Sequence, residues 1–209
     1  MEEQFSWHIL YSYRQKVYKK YPSVYGLKIR KKLYDVVSDE LRDGIKILDV
    51  GANTRSLGDK IVARVPTIIY KTMDIDRAMS HDYYSLQEIH ESFDIIILAE
   101  VIEHLDLKEG ISMLHDLHAL LNENGVLILT TPNIYHPNRF WHDSDHKTPY
   151  SYAEIGGALL SVGFSISKMY RTYNDQFFRR LFRMYVACYL HKYLDVDFAK
   201  SIVVVASKK

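Results

Sequence analysis

The sequence predicts an α/β fold built on a parallel, doubly wound sheet. Short apolar strands alternate with helices through the middle of the chain, the pattern that lays strands side by side with helices on both faces. One strand, Ile45-Lys46-Ile47-Leu48-Asp49-Val50, runs straight into Gly51. Another, Phe93 to Ala99, is an almost unbroken apolar run, as expected for a strand buried on both faces.

Before Gly44 the chain reads as a helical cap, residues 1–43. Its first helix spans about Phe5 to Lys20 and mixes aromatics with bases; Pro22 and Gly26 separate it from a second, about Leu27 to Leu41. After the Ile45–Val50 strand comes a helix over about Leu57 to Val65, stopped by Pro66. Thr67 to Met73 is a second strand ending at Asp74, and Phe93 to Ala99 follows. A helix over about Gly110 to Leu121 ends at Asn122-Glu123-Asn124-Gly125, a stop-and-turn signal. Val126 to Thr130 is the next strand, closed by Thr131-Pro132-Asn133. In the tail, Gly163 to Tyr170 reads as a strand, Gln176 to Leu194 as a helix and Ser201 to Ala206 as a final strand. The expected organisation is one domain over residues 1–209, with a helical insertion near 174–194 in its core, 44–209.

Composition narrows the function. A chain of 209 residues can bury a sizeable core. With 27 Lys+Arg against 26 Asp+Glu, the net charge of +1 exerts no global pull toward nucleic acid. The single cysteine, Cys188, excludes an internal disulfide framework and fits a cytoplasmic location. Residues 1–20 are broken by charges and carry no signal-peptide core. No run approaches the ~18 apolar residues of a membrane span, and the oligomeric state is left open.

The passage Asp49-Val50-Gly51-Ala52-Asn53 has the form of a nucleotide-type loop. A glycine lets the backbone approach a ligand, and the helix start beyond it offers free N–H groups. Asn53 stands where a second glycine is usual, and asparagine tolerates positive φ. A ligand-free capping turn is the competing reading. Asp74, at the end of the next strand, can bond both hydroxyls of a ribose; Asp76 is close enough to be confused with it.

These pieces together resemble the class I S-adenosylmethionine-dependent methyltransferases. ILDVGAN, MDID, FDIIILAEVIEHL and GVLILTTPN occur in the family's order, and YSYAEIGGALLSVGF and SIVVVAS fit its last helix and final strand. The resemblance implies a Rossmann-like, seven-stranded sheet with the last strand antiparallel. It sets Asp49 and Gly51, with Asn53 in the same loop, beside the amino-acid part of the cofactor, and Asp74 on its ribose. It sets Asp82 with the Tyr83 backbone near the adenine, and Ala99 at the methionine end. Asp82 follows Asp74 too closely for the helix that normally links the second and third strands.

Within the family, Glu100-Val101-Ile102-Glu103-His104 is an E-x-x-E-H motif. It resembles that of the metal-dependent 2′-O-methyltransferases of small-RNA 3′ ends and of the O-methyltransferases of polyprenyl catechols. If a helical turn starts at Glu100, positions i, i+3 and i+4 share one face. Asp143-Ser144-Asp145-His146-Lys147 matches the later histidine segment. The resemblance thus implies Glu100, Glu103, His104 and His146 as ligands of a divalent metal, Mg²⁺, Mn²⁺, Fe²⁺ or Zn²⁺. Such an ion would acidify and position an acceptor hydroxyl. Glu-His after this strand also occurs in relatives that bind no metal, where it caps a helix or shapes the pocket; without a metal, His146 or His104 is the candidate general base. His136 and His142, in the loop from Tyr135 to Pro149, read as surface or lid residues.

The expected reaction is O-methylation of a small-molecule, sugar or lipid-linked acceptor. RNA 3′-end methylation is the second reading, and a cofactor-binding module that has lost catalysis is the third. A nicotinamide dehydrogenase is disfavoured, since no Tyr-x-x-x-Lys pair occurs. The arginines and aromatics of Phe177 to Val186 leave two roles open: core packing with a basic edge, or a docking surface for an anionic or lipid-linked substrate. The first helix, with Trp7, His8, Tyr11 and Tyr13, has the same ambiguity: it could cover the active site.

Overall fold

The computed structural model describes residues 7–208. Phe5 and Ser6, where the first helix was expected to begin, lie outside them. Helix α1 spans Trp7–Lys20. Strand β1 (Lys28–Arg30) and helix α2 (Leu33–Ser38) follow. Then come β2 (Lys46–Val50), α3 (Ser56–Arg64), β3 (Ile69–Met73) and β4 (Phe93–Ala99). Helix α4 (Leu107–Leu120) leads into β5 (Leu121–Pro132) and α5 (Tyr152–Val162) into β6 (Ser165–Thr172). Helices α6 (Phe177–Leu181) and α7 (Cys188–Leu194) precede the last strand, β7 (Ser201–Ser207).

The seven strands form one sheet in the order β1-β6-β7-β5-β4-β2-β3. Strands β3, β2, β4 and β5 are mutually parallel, and β7 runs antiparallel to both β5 and β6. From β2 the chain first winds outward to β3, then returns to β4 on the other side. The crevice between β2 and β4 is therefore the topological switch point, where open α/β sheets bind ligands.

The central strands are apolar on both faces because each face is covered. Leu48, Val50, Ile96, Leu98, Leu127 and Leu129 pack with α1, α4 and α5. Their alternates Ile47, Ile95, Ile97 and Ile128 pack with Val36 and Val37 of α2 and Ile61 of α3. The period of two in strand side chains divides one sequence run between two cores. On the first face α1 lies close against α5. A Cβ on Gly156 would come within 2.9 Å of Val17, and one on Gly157 within 3.0 Å of the Arg14 side chain, so the glycine pair sets the depth of this crossing.

Three elements depart from expectation. The second helix expected over Leu27 to Leu41 is mostly replaced: Lys28–Arg30 joins the sheet edge, parallel to β6, and only Leu33–Ser38 is helical. The cap is thus not wholly helical; it supplies the seventh strand. The seventh strand is needed because the crossover after β3 makes a single bridge, Met73 to Tyr83, instead of a strand. The helix expected over Gln176 to Leu194 is present from Phe177 to Leu194 but carries a π-turn, Phe182–Val186, between α6 and α7, and many of its aromatics are exposed. Helix α4 starts earlier than expected, at Leu107, because Asp106 and Glu109 form a reciprocal capping box. Among the described residues no helix is long and apolar enough to cross a membrane.

Candidate active site

The carboxyl ends of β2, β4 and β5 open onto a cleft of about 460 Å³, lined among others by Asp49, Gly51, Ala99, Glu100, Thr130 and Arg139. Gly51 turns the chain out of β2 with φ of +73°. A Cβ there would lie 2.3 Å from Cγ2 of Val101, so only glycine keeps the loop this close to the β4 end. The loop is closed by its own hydrogen bonds. The N–H groups of Gly51 and Ala52 donate to the Met73 carbonyl at 2.8 and 3.3 Å. Asn53, with φ of +47°, donates its N–H to Oδ2 of Asp74 at 2.9 Å, and Asp76 N–H donates to Oδ1 at 3.0 Å. Asparagine thus takes the left-handed position that a second glycine would fill, and Asp74, not Asp76, faces the loop.

Asp49 is buried and accepts the Tyr70 hydroxyl at 2.6 Å. Burial pushes its carboxyl up to about 6, against the pull of the Tyr70 hydrogen bond; the charge of Asp74 adds to the rise. Asp82 and Tyr83 lie outside this cleft. The Asp82 carboxylate is engaged with Lys71 at 3.0 Å, Thr72 N–H at 2.9 Å and Thr72 Oγ1 at 3.1 Å. Burial disfavours its charge, but these donors outweigh that and hold it below the ordinary carboxylate value. The Tyr83 N–H donates to the Thr72 carbonyl at 3.1 Å, and its hydroxyl to Glu91 at 2.5 Å. Beyond Asp74 a second cleft has an apolar wall of Met73, Ile75, Leu86, Leu105 and Met113 and a polar rim that includes Gln87, Glu109 and Asp116. Sequence reasoning missed it; an apolar Ile75 directly after the strand-ending Asp74, 81 % exposed, is the signal that could have found it.

At the end of β4 the E-x-x-E-H run does not form one helical face. Glu100 has φ of +55°, and the only regular turn, Ile102–His104, begins after it. Glu100 is turned toward β5: Thr130 Oγ1 donates to its Oε1 at 2.9 Å, and Arg139 to its Oε2 at 2.8 Å. Arg139 comes from the loop after β5, where no local pattern marks it. Glu103 goes the other way, into the interior, fully buried with no well-formed hydrogen bond to either oxygen; the Thr131 hydroxyl beside it is equally unpaired and favours the charged form. Burial, followed by the nearby charge of Glu100, pushes its carboxyl up to about 8.

His146, far along the chain, is brought to Glu103 by the backbone. The N–H groups of Lys147 and Thr148 donate to the Glu103 carbonyl at 2.8 and 3.0 Å. Its Nε2 lies 4.0 Å from Oε1 of Glu103, and its Nδ1 lies 2.7 Å from the Phe140 carbonyl. A neutral ring must donate from Nδ1 to that carbonyl, which leaves the Nε2 lone pair facing Glu103. The His104 ring sits 4.8 Å from that of His146, centroid to centroid. One ligand atom each from Glu103, His104 and His146 lie within 4.8 Å of one another. The structure thus brings together three of the four expected ligands and leaves Glu100 outside, because the left-handed residue reverses its side chain before the turn starts.

Residues 21–185 match the family described as a methyltransferase domain, and the chain belongs to that family. Its fold is similar to a SAM-dependent methyltransferase from Archaeoglobus fulgidus, at 13 % identity over 95 % of this chain and 94 % of that one, with a TM-score of 0.60. It is similar also to the N-methyltransferase NodS from Bradyrhizobium japonicum WM9, solved with S-adenosyl-L-homocysteine (14 % identity, 84 % and 83 % covered, TM-score 0.57). A third likeness is to magnesium protoporphyrin IX methyltransferase from Synechocystis PCC 6803 with bound SAM (16 %, 100 % and 87 %, TM-score 0.57). A search of curated proteins gives no match.

Proposed function

We propose that the chain acts as a single-domain, S-adenosylmethionine-dependent O-methyltransferase on a small-molecule, sugar or lipid-linked hydroxyl. The observation that carries the hydroxyl reading is the orphaned Glu103 carboxyl facing two imidazoles at the end of β4. The Gly51 loop, which a Cβ would obstruct, and the loop-facing Asp74 suit the methyl donor. When bound, S-adenosylmethionine supplies a sulfonium methyl for in-line transfer. Asp74 holds the ribose hydroxyls, and Asp49 and Gly51 border the amino-acid end. Ala99 leaves room for the methionine chain. The apolar wall of Ile75, Leu86 and Leu105 takes the adenine, with Asp82 and Tyr83 shaping the crossover behind it.

The donor set of one carboxylate and two imidazoles suits a divalent ion of the Zn²⁺, Fe²⁺ or Mn²⁺ type. His146 gives its Nδ1 hydrogen to a backbone carbonyl, as metal-bound imidazoles commonly do. Glu103, His104 and His146 would hold the ion, which supplies acidification and positioning of the acceptor hydroxyl. Glu100, fixed by Arg139, borders the acceptor instead. Without an ion, the His146 Nε2 lone pair is free to take the hydroxyl proton as the oxygen bonds the methyl carbon and the carbon–sulfur bond breaks.

The test is turnover to S-adenosylhomocysteine with a panel of catechols and vicinal diols, with and without chelator. Chelator-sensitive turnover is expected; full activity in chelator removes the ion, and no turnover on any acceptor favours a module that only binds the cofactor. Asp74→Ala should weaken S-adenosylmethionine binding by about tenfold or more in calorimetry, and unchanged affinity would refute the ribose assignment.

A further inference from the structure

Beside the first cleft lies a third, of about 400 Å³, between the loop that follows β5 and helix α6. Arg139, Arg179, Arg183 and Lys200 line it, against a single acid, Asp175. Its cations come from three separate parts of the chain. Arg179 and Arg183 are spaced i, i+4 on α6 and the π-turn, which sets them on one side. Lys200 precedes β7. The segment before it is pinned from inside the protein: buried Asp197 is 2.9 Å from Arg171 and 2.9 Å from Asn133.

Internal pairing leaves this charge in excess. Asp175, its side chain 3 % exposed, meets Arg183 at 2.8 Å and Lys200 at 3.9 Å. Arg139 is neutralised by Glu100. Arg179 makes no ion pair among the described residues. Residues 176–194 hold Arg179, Arg180, Arg183 and Lys192 without one Asp or Glu, in a chain whose net charge is only +1. A concave wall of one sign focuses its field on an incoming counter-ion. His136 adds a neutral donor: its Nδ1 accepts the Asn138 N–H at 3.3 Å, so the hydrogen of the neutral ring sits on Nε2.

We propose that this cleft binds a phosphate-type anion, and that the anion is part of the methyl acceptor. Guanidinium forks match phosphate oxygens in pairs; Arg179 offers its whole fork, and Arg183 the N–H groups that Asp175 leaves free. Arg139 and Lys200 line both clefts, so a molecule anchored here by its phosphate reaches the Glu100 end of the first cleft. The second half of the proposal rests on the methyltransferase reading; anion binding does not. The phosphate is either that of a soluble ester or that of a lipid. Exposed Trp141, next to His142 of the cleft, and Phe178, next to Arg179, give an apolar chain somewhere to lie.

The test uses the full chain without S-adenosylmethionine. Calorimetry compares glycerol 3-phosphate with glycerol, and co-sedimentation compares phosphatidic acid vesicles with phosphatidylcholine vesicles. Binding of a phosphate probe and not its uncharged counterpart is expected. Arg179→Glu should weaken it about tenfold or more, and Arg179→Lys, which keeps the charge but loses the fork, should fall between Arg179→Glu and the wild type. The soluble arm alone identifies an ester, and the vesicle arm alone a lipid phosphate. No binding in either arm, or unchanged binding by Arg179→Glu, overturns the proposal. S-adenosylmethionine binding is measured separately on the wild type and on Arg179→Glu and should be the same in both. Its absence in the wild type would count against the methyltransferase reading and leave anion binding standing.

Discussion

The two ends of the switch-point crevice are built on opposite principles. On the β2/β3 side the chain satisfies itself: Gly51, Ala52, Asn53 and Asp76 each spend a backbone N–H on Met73 or Asp74, and Asp49 has Tyr70. On the β4/β5 side the chain leaves groups unsatisfied or strained. Glu103 is buried with both oxygens unpaired, and Glu100 sits at positive φ. A closed, prepaid loop is a rigid seat for a ligand that is always the same. A buried, unpaired carboxyl stores a demand for a proton or a cation, which makes that side the responsive one.

Breaking the closed side should give the largest effect. Gly51→Ala adds a Cβ at φ +73°, 2.3 Å from Val101. Left-handed strain and overpacking together should cost about 2–4 kcal/mol, read as a lower urea midpoint, together with loss of S-adenosylmethionine binding. A loss below about 1 kcal/mol would mean that the loop relaxes freely and is not the rigid half.

The responsive side should show itself through pH. Glu103 is raised from 4.5 to about 8 by burial first and by Glu100 second. Its folded form holds a proton that the unfolded form has lost, so between about 4.5 and 8 the folded state binds more protons. Stability from this group is therefore complete below 4.5 and declines as pH rises through 8. In chelator, the wild-type unfolding free energy read from urea melts should fall over this window by an amount on the order of a few kcal/mol. Glu103→Gln, which stays neutral, should flatten the fall. Adding Mn²⁺ or Zn²⁺ at pH 8 should raise the wild-type midpoint and leave Glu103→Gln nearly unmoved. A wild-type profile that is flat in chelator would show that Glu103 is not held neutral in the fold.

The same contrast explains what the sequence disclosed. Gly51, Asn53 and Asp74 are legible because the loop interactions are local and need particular residue types at strand ends. The central strands are legible because burial on both faces leaves a continuous apolar run. Arg139 is not, since its partner Glu100 lies across the sheet and nothing near Arg139 repeats or alternates. The direction of Glu100 is not legible because a left-handed residue between strand and turn has no spacing signature, and helical spacing counted from Glu100 starts two residues before the turn at Ile102. Strand β1 was missed for a related reason. A three-residue edge strand is defined by its neighbour β6, whereas Leu27 to Leu41 alone contains helix-forming residues enough to suggest one long helix.

The smallest effect sharpens the comparison within the closed side, by removing one bond and nothing else. Tyr70→Phe deletes the hydroxyl that donates to Asp49 at 2.6 Å. It should cost about 1–2 kcal/mol of stability. The functional consequence has a definite sign. Asp49 already titrates near 6, with the Tyr70 bond the force that lowers it; without that bond its carboxyl rises further. If the ionised form faces the amino end of the methyl donor, wild-type affinity for S-adenosylmethionine should fall off as pH drops through about 6. In Tyr70→Phe the same fall should begin at higher pH. Calorimetry at a series of pH values reads the two midpoints directly. Coincident midpoints would show that Asp49 only packs the β2 end, and that the closed side is rigid without being tuned.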